Sequence, residues 1–211
     1  MKVVAINGSP KKDGNTFHAL TMVGNELIAG GIDFKILHIG HRLIHGCRAC
    51  GKCAVNKDEE CSIKSDDVNR WVQLLKLADG IIIGSPVYYS GIAGSMKCFL
   101  DRVFYVAGVN GGLFRHKVGA SVVALRRTGG SATFDSMNHY LNNSEMIIAT
   151  ANYWNVIHGR NAGEVTQDFE GKQIMRVLGK NIAWLLKMKE ASKGLVEEPK
   201  AEQKVAMNFI R

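Results

Sequence analysis

Long apolar runs and prolines are both scarce in this sequence. No stretch approaches the ~18–20 consecutive apolar residues of a membrane span. Only 3 of the 211 residues are proline, which excludes a proline-rich or collagen-like chain. The first ten residues become polar too early for a secretory signal peptide, and nucleic-acid-binding motifs are missing. We therefore expect a soluble, cytoplasmic protein without membrane or nucleic-acid partners.

The remaining composition is that of a folded domain. Hydrophobic residues make up 46% of the chain and charged residues 22%, enough for a sizeable core in one domain of this length. The formal net charge of +8 is spread along the chain and favours anionic ligands such as phosphates. Because we expect the protein inside the cell, its 5 cysteines should be thiols or metal ligands and not disulfides.

Apolar runs typical of strands alternate with stretches of helical spacing. Strands are predicted at 2–7, 33–39, 80–84, 117–125 and 145–149. Helices are predicted at 16–30, after a Ser65-Asp66-Asp67 cap, around 96–103, at 131–143 and at 172–189. This alternation predicts an α/β fold, a doubly wound five-stranded parallel sheet with helices on both faces. It forms one domain, 1–190, with a cysteine-rich insertion at 46–61 and a tail at 191–211 that is disordered or packs on another subunit.

The loop after the first strand is suited to phosphate. Residues 8–16 read Gly-Ser-Pro-Lys-Lys-Asp-Gly-Asn-Thr and contain neither a Walker A motif nor Gly-x-Gly-x-x-Gly. Hydroxyl, amide and ammonium donors meet there at a helix N-terminus, which suits a monophosphate. The candidate residues are Ser9, Lys11, Lys12, Gly14, Asn15 and Thr16. The alternative is an ordinary capped turn, in which Ser, Asn and Thr are also favoured.

The loop after the third strand offers flat contacts for a planar ring. Its candidate residues are Ser85, Pro86, Val87, Tyr88, Tyr89, Ser90 and Gly91. Tyrosine ring faces can stack on a heterocycle, and ligands of such sheets bind beyond the carboxyl ends of the strands. A phosphate loop and an aromatic loop at neighbouring strand ends describe a site for flavin mononucleotide, FMN. The alternative is that one tyrosine lies in the core and the other on the surface.

The loop after the fourth strand adds small residues and two arginines. Thr128 and Gly129 are candidates for the edge of the ring. Arg126 and Arg127 are either contacts for an anionic substrate or pyridine-nucleotide phosphate, or parts of a solvated basic turn.

Three motifs resemble the flavodoxin-like NAD(P)H-dependent FMN reductase family: Asn-Gly-Ser-Pro-Lys-Lys-Asp-Gly-Asn-Thr at 7–16, Gly-Ser-Pro-Val-Tyr-Tyr-Ser-Gly at 84–91 and Met-Lys-Cys-Phe-Leu-Asp-Arg at 96–102. The resemblance runs from residue 1 to about 190. It implies a 2-1-3-4-5 strand order, non-covalent FMN and a homodimer or homotetramer. By the same resemblance Ser9, Lys11, Asn15 and Thr16 hold the phosphate, and Pro86 to Gly91 line the isoalloxazine ring. Lys97, Asp101 and Arg102 are interpreted as helix ion pairs.

Four cysteines lie close together in the pattern Cys47-x2-Cys50-x2-Cys53-x7-Cys61. Such a set can bind a soft metal centre. A [4Fe–4S] cluster, redox-active or free thiols, and structural zinc all remain open. The segment resembles the iron–sulfur flavoproteins of the same family, in which these cysteines would be cluster ligands. Cys98 stands apart on an apolar helix face and is interpreted as a small buried hydrophobe.

The combined pattern predicts an FMN-dependent oxidoreductase. NAD(P)H is the expected donor, and a quinone, a flavin or another small molecule is the expected acceptor, with an iron–sulfur cluster as a further relay. No Ser/His/Asp arrangement or paired carboxylates stand out, which suits an enzyme whose flavin carries the chemistry. The alternative is a flavin or iron–sulfur electron carrier without substrate turnover.

Overall fold

The computed structural model describes residues 1–205 and 207 and contains one sheet between two layers of helices. The strands are β1 (Lys2–Asn7), β2 (Asp33–His38), β3 (Gly80–Tyr88), β4 (Gly91–Ile92), β5 (Val118–Leu125), β6 (Ile147–Ile148) and β7 (Val156–His158). The helices are α1 (Asn15–Ala29), α2 (Lys52–Asn56), α3 (Val68–Lys76), α4 (Gly94–Val109), α5 (Gly130–Asn143) and α6 (Phe169–Ser192), with a 3₁₀ turn at Glu164–Gln167.

The main strands are parallel and follow the order β2-β1-β3-β5-β6. Two short strands lie off this path, since β4 pairs antiparallel with β3 and β7 pairs parallel with β5. With β4 set aside as part of a hairpin, the order of the five predicted strands is 2-1-3-4-5. The predicted doubly wound, flavodoxin-like fold is therefore confirmed.

The core has two halves, one on each face of the sheet. Successive side chains of a strand point to opposite faces, so Ile81 and Ile83 of β3 pack with α3, α4 and α5 while Ile82 packs with α1 and α6. All three isoleucines are at most 1% exposed. A strand covered by helices on both faces explains the continuous apolar run at residues 80–84.

Several predicted boundaries differ from the structure. β3 continues to Tyr88 because its end enters the hairpin with β4, and α4 extends to Val109. The fifth strand is reduced to two residues at the sheet edge, and β7 pairs with the remainder of β5. The short helix α2 inside the cysteine segment was not predicted, because five residues are too few to show a periodic pattern.

The beginning of the predicted tail lies against its own chain. The Glu198 carboxylate is 3.2 Å from His116 Nδ1 and 3.2 Å from Lys189 Nζ, and Arg115 donates to the Pro199 carbonyl at 2.8 Å. Residues 206 and 208–211 of the predicted tail lie outside the described part of the chain. Among the helices described, none is long and apolar enough to cross a membrane.

Candidate functional site

A cavity of ≈210 Å³ opens at the carboxyl ends of β1, β3 and β5. Because β3 pairs with both β1 and β5, the loops that follow these strands lie side by side. Eight residues predicted from the first two loops line the cavity: Ser9, Lys11, Gly14, Asn15, Thr16, Pro86, Val87 and Tyr88. The fold thus brings the predicted phosphate loop and the predicted ring-binding loop to one cavity.

The α1 wall of this cavity carries an unsatisfied hydroxyl. Thr16 is 1% exposed, and its Oγ1 has no hydrogen-bond partner within the described residues. Gly14 is the N-cap of α1, and among the described residues no side chain makes a cap hydrogen bond to this helix. The first backbone N–H groups of α1 therefore also lack a capping acceptor. A phosphate oxygen at this helix end would satisfy both kinds of donor, so the residues present fit a phosphate group.

Asn15 connects the phosphate loop to a segment far away in sequence. Its Nδ2 donates to the Gly159 carbonyl at 2.9 Å, and its Oδ1 accepts from the Gly163 N–H at 2.9 Å. The amide thereby holds residues 159–163 against the cavity. Lys12 does not line the cavity, and its carbonyl accepts from Asn7 Nδ2 at 3.0 Å.

Three residues that the sequence analysis did not identify lie against the backbone of Ser9 in the phosphate loop. Asn7 Oδ1 accepts from the Ser9 N–H at 3.0 Å, and His38 Nε2 lies 2.7 Å from the Ser9 carbonyl oxygen. A Cβ on Gly40 would lie 2.1 Å from the same carbonyl oxygen, so only glycine permits this close approach. Asn7 could have been found from the sequence by its position at the end of β1. His38 and Gly40 come close to Ser9 only because β1 pairs with β2.

The ring-binding loop is a tight β-hairpin. Tyr88 pairs with Gly91, and the two residues between them, Tyr89 and Ser90, both have positive φ values of 50° and 57°. Such a pair forms the primed turn that closes two-residue hairpins, although neither residue is a glycine or asparagine. Backbone strain of this kind concentrates at functional sites. Tyr88 is 48% exposed and Tyr89 is fully exposed, so the alternative that one tyrosine lies in the core is wrong.

Ser85 has a structural role at the base of the hairpin. The residue is fully buried, and its hydroxyl donates to the Pro86 carbonyl at 2.8 Å and accepts from the Ala93 N–H at 3.1 Å. These bonds join the end of β3 to the start of α4. The side chain that sequence analysis proposed as a cofactor contact is therefore used within the fold.

Gly129 supports the tip of the hairpin from the β5–α5 loop. Its φ is +85°, and a Cβ at this position would lie 2.7 Å from Ser90 Cα. The predicted ring-edge residue is thus also the residue against which the strained turn packs.

We expect Gly129→Ala to lower the free energy of unfolding by about 2–4 kcal/mol, because positive φ and the Ser90 contact both add strain. Gly111→Ala is the matched control, since Gly111 has φ +84° and a Cβ added there would meet no atom within 4 Å. Gly111→Ala should lower the free energy of unfolding by only about 1 kcal/mol, the part that comes from the positive φ. Urea unfolding of both variants measures the difference, and equal losses would contradict the packing role of Gly129.

A second cavity of ≈380 Å³ lies beside the first and shares Leu125 with it. Thr128 and Gly129 line this cavity and not the first one. Arg127, Tyr153 and Trp154 also line it, and the two aromatic rings stand edge to face with centroids 4.5 Å apart. The arginines of the β5–α5 loop are divided between the cavities, because Arg126 lines the first and Arg127 the second.

The four cysteines of the insertion converge on one small cavity beside α4. Its enclosed volume is ≈20 Å³, and its lining includes Cys47, Cys50, Cys53, Cys61, Ser62, Arg102 and Tyr105. Cys47 and Cys50 are exposed, Cys61 is half-buried and Cys53 is buried. Cys98 does not line this cavity. It packs against the core from α4, as its interpretation as a small hydrophobe requires, but it is half-buried and not fully buried.

Two asparagines, one on α3 and one directly after α4, hold the cysteine segment in place. Asn69 of α3 accepts from the Cys61 N–H at 2.7 Å and donates to the Cys61 carbonyl at 3.0 Å. Asn110, after α4, donates to the Cys53 carbonyl at 3.4 Å and accepts from the Glu59 N–H at 3.1 Å. The inner cysteines are therefore positioned by the main fold, while the outer ones lie on an exposed loop.

The thiols of the segment differ in their environment. The hydrogen bond with the Ser62 hydroxyl lowers the pKa of the Cys50 thiol, whereas burial raises the pKa of the Cys53 thiol. Among the described residues, no three or more His, Cys, Asp or Glu side chains lie close enough together to hold a single metal ion. In a four-iron cluster each cysteine binds its own iron, so the sulfur atoms stand farther apart than around one ion.

The interpretation of the third motif needs correction at Arg102. Lys97 and Asp101 do form the predicted ion pair along α4, with Nζ 2.5 Å from Oδ1. Arg102 is instead buried, 1% exposed, and pairs with Asp66, whose Oδ2 lies 2.5 Å from Nη1. Asp66 was predicted as part of a helix cap, and its Oδ1 does accept from the Val68 N–H at the start of α3 at 3.3 Å, whereas Asp67, the N-cap residue, makes no such bond within the described residues. Sequence spacing cannot show a pair formed between residues 36 positions apart.

Comparison with solved structures shows the same fold. FerB from Paracoccus denitrificans, a flavoenzyme NAD(P)H:(acceptor) oxidoreductase, superimposes with a TM-score of 0.63 at 18% identity, covering 89% of this chain and 97% of FerB. A flavodoxin from the domain Archaea gives a TM-score of 0.58 at 16% identity, covering 89% of this chain and 99% of the flavodoxin. At these identities the likeness concerns the fold alone.

Sequence comparison identifies the family. An iron–sulfur flavoprotein of Methanocaldococcus jannaschii is 32% identical over 195 residues, 89% of this chain and 98% of the relative. An iron–sulfur flavoprotein of Methanosarcina thermophila is 27% identical over 186 residues, 84% and 95% of the two chains. The family model for NADPH-dependent FMN reductases matches residues 1–161. The chain therefore belongs to the NADPH-dependent FMN reductase family of flavin oxidoreductases, and the relatives to which it is similar include iron–sulfur flavoproteins.

Proposed function

We propose that this protein takes a hydride from NAD(P)H and passes the electrons to a quinone, a flavin or another small acceptor, with FMN and a [4Fe–4S] cluster as its redox groups. The observation that carries the proposal is one cavity lined both by Thr16, whose buried hydroxyl has no hydrogen-bond partner within the described residues, and by Tyr88 of the hairpin. Family membership supports an oxidoreductase, and the names of the relatives support a cluster.

In this proposal the phosphate of FMN binds at the start of α1. Ser9 and Thr16 donate hydroxyl hydrogen bonds, the first N–H groups of α1 donate from the backbone, and Lys11 supplies positive charge. Of the residues assigned to the ring, Pro86, Val87 and Tyr88 line this cavity, and Thr128 and Gly129 line the cavity that adjoins it. The flavin, when bound, supplies the capacity to accept a hydride and release electrons. The protein's own residues orient it and exclude water from one of its faces.

The second cavity is the proposed entrance for the nicotinamide donor or the acceptor. It adjoins the first cavity at Leu125. Arg127 offers a guanidinium for a phosphate or carboxylate, and the Tyr153–Trp154 pair offers aromatic faces for a planar ring. Association into a homodimer or homotetramer remains a prediction from the family resemblance.

Cys47, Cys50, Cys53 and Cys61 are the proposed cluster ligands. Their convergence on one cavity supports this assignment, and Cys47 and Cys50 form its exposed side. α4 links the two sites, because its first turn follows the ring-binding hairpin and its middle lies at the cysteine cavity.

The proposal is tested on anaerobically purified protein. We expect FMN to bind with micromolar or tighter affinity in a fluorescence titration, iron analysis to find about four iron atoms per chain, and NADH or NADPH to be consumed steadily with a quinone acceptor. Weak FMN binding would overturn the flavoenzyme. Tight binding without steady NAD(P)H consumption would favour the electron carrier.

Cysteine variants separate the cluster from the flavin. We expect Cys50→Ser to lose at least half of the bound iron and the broad cluster absorption while FMN affinity stays within about twofold, because a hydroxyl is a poor ligand for iron. Cys98→Ser is the matched control and should keep the iron of the unmodified protein, since Cys98 does not line the cysteine cavity. Equal iron in both variants would contradict the ligand assignment.

A further inference from the structure

Arg102 is a buried cation whose hydrogen bonds are all used. Its side chain is fully buried. Two N–H groups donate to the Asp66 carboxylate at 2.5 and 3.1 Å, and two others donate to the carbonyls of His45 and Ile63 at 3.3 and 3.2 Å. The fifth, on Nε, donates to Cys61 Sγ at 3.4 Å. A guanidinium has five N–H groups, so every donor has an acceptor in this arrangement.

The sulfur contact distinguishes this pair from an ordinary buried ion pair. Asp66, His45 and Ile63 would suffice to hold the guanidinium, yet its Nε–H points at the sulfur of a proposed cluster ligand. Cys61 is also the cysteine whose backbone N–H and carbonyl both bond to the Asn69 side chain. The protein thus fixes the position of this sulfur and places a positive hydrogen-bond donor on it.

We propose that Arg102 is a positioning residue that raises the reduction potential of the redox centre held by the four cysteines, and that Asp66 limits this effect. The inference rests on the proposed cluster. Reduction adds one electron and hence one negative charge to the cysteine-bound centre. A hydrogen bond from a cation to a ligand sulfur stabilises the more negative state, and hydrogen bonds and net charge at the sulfurs are known determinants of cluster potential.

Burial makes the effect larger than a surface charge would produce. Charges interact more strongly in the protein interior than in water, and the Asp66 side chain is only 5% exposed. Asp66 bonds to Nη1 and Nη2, at the end of the guanidinium opposite the Nε that donates to the sulfur. Its negative charge therefore opposes that of Arg102 from a greater distance. The two residues therefore shift the potential in opposite directions.

The test is an anaerobic redox titration of the reconstituted protein, followed through the electron paramagnetic resonance signal of the reduced cluster. We expect Arg102→Gln to shift the midpoint potential to a more negative value and Asp66→Asn to shift it to a more positive one. Lys97→Gln and Asp101→Asn are matched controls on the same helix. Their pair is partly exposed, with side chains 51% and 34% exposed, so solvent screens it and the potential should stay unchanged.

The double variant Arg102→Gln/Asp66→Asn keeps neutral hydrogen-bonding groups at both positions. It is measured in place of a single variant that does not fold. Its potential should be more negative than that of the unmodified protein. If the two residues had a merely structural role, both single variants would shift the midpoint potential in the same direction, or the double variant would leave it unchanged. Either result overturns the proposal. If the unmodified protein takes up no iron, the proposed cluster is overturned, and the proposed role of Arg102 with it. If the protein binds the cluster but the variants leave its potential unchanged, only the role of Arg102 is overturned.

Discussion

Arg102→Met is expected to lower the free energy of unfolding by about 3–5 kcal/mol, because it leaves the Asp66 carboxylate buried without its cation. The Asp66 side chain is 5% exposed, so water cannot replace the lost hydrogen bonds fully. Three acceptors besides Asp66 also lose a donor, namely the carbonyls of His45 and Ile63 and the Cys61 sulfur. Urea unfolding of the protein without added iron or FMN measures the loss.

Two further variants are compared with Arg102→Met. Lys97→Met breaks the partly exposed Lys97–Asp101 ion pair one turn earlier on α4 and should cost less than about 1 kcal/mol. The double variant Arg102→Met/Asp66→Leu removes both charges and should recover much of the loss, since a buried pair often contributes little beyond what an apolar pair provides. A loss in Arg102→Met no larger than in Lys97→Met would contradict the burial of the pair.

Thr16→Val is expected to weaken FMN binding while leaving the protein without FMN as stable as before, or more stable. A hydrogen bond to a charged phosphate is worth about 1.5–3 kcal/mol, which corresponds to a roughly 10- to 150-fold loss of affinity. Valine has the same shape and the same β-branching as threonine. Without FMN the Thr16 hydroxyl is buried and has no partner in the described chain, so its removal costs nothing.

The control for this prediction lies on the same helix. The Thr21 hydroxyl donates to the Phe17 carbonyl at 2.9 Å, within α1 and away from the cavity. Thr21→Val should therefore keep the FMN affinity of the unmodified protein. Fluorescence titration gives the affinities and urea unfolding gives the stabilities. A Thr16→Val variant that binds FMN normally would remove Thr16 from the phosphate site.

Sequence patterns were most informative where the chemistry is local. The glycine-bounded run at 80–84 predicted a strand covered on both faces, and the structure shows Ile81, Ile82 and Ile83 buried on alternate sides. The phosphate loop was readable because its donors follow one another along the chain. The Cys-x2-Cys-x2-Cys spacing likewise marked a cluster of thiols, and all four cysteines meet at one cavity.

Residue roles were less predictable where a side chain bonds to a distant part of the chain. Ser85 belongs to the ring-binding motif, but its hydroxyl joins β3 to α4. Asn15 belongs to the phosphate motif, but its amide holds residues 159–163. Local sequence shows which polar groups are available, whereas their partners depend on which loops the sheet order brings together.

By itself, the sequence determined the fold class, the strand ends at which ligands bind and the set of cysteines that share a site. These follow from periodicity, glycine placement and short spacings, which act within a few residues. Only the tertiary structure decided that Arg102 is buried between Asp66 and Cys61, and that Gly129 packs against the strained hairpin. Those contacts join segments separated by tens of residues, and the free energy of burial that selects them exists only once the sheet and its helices have packed.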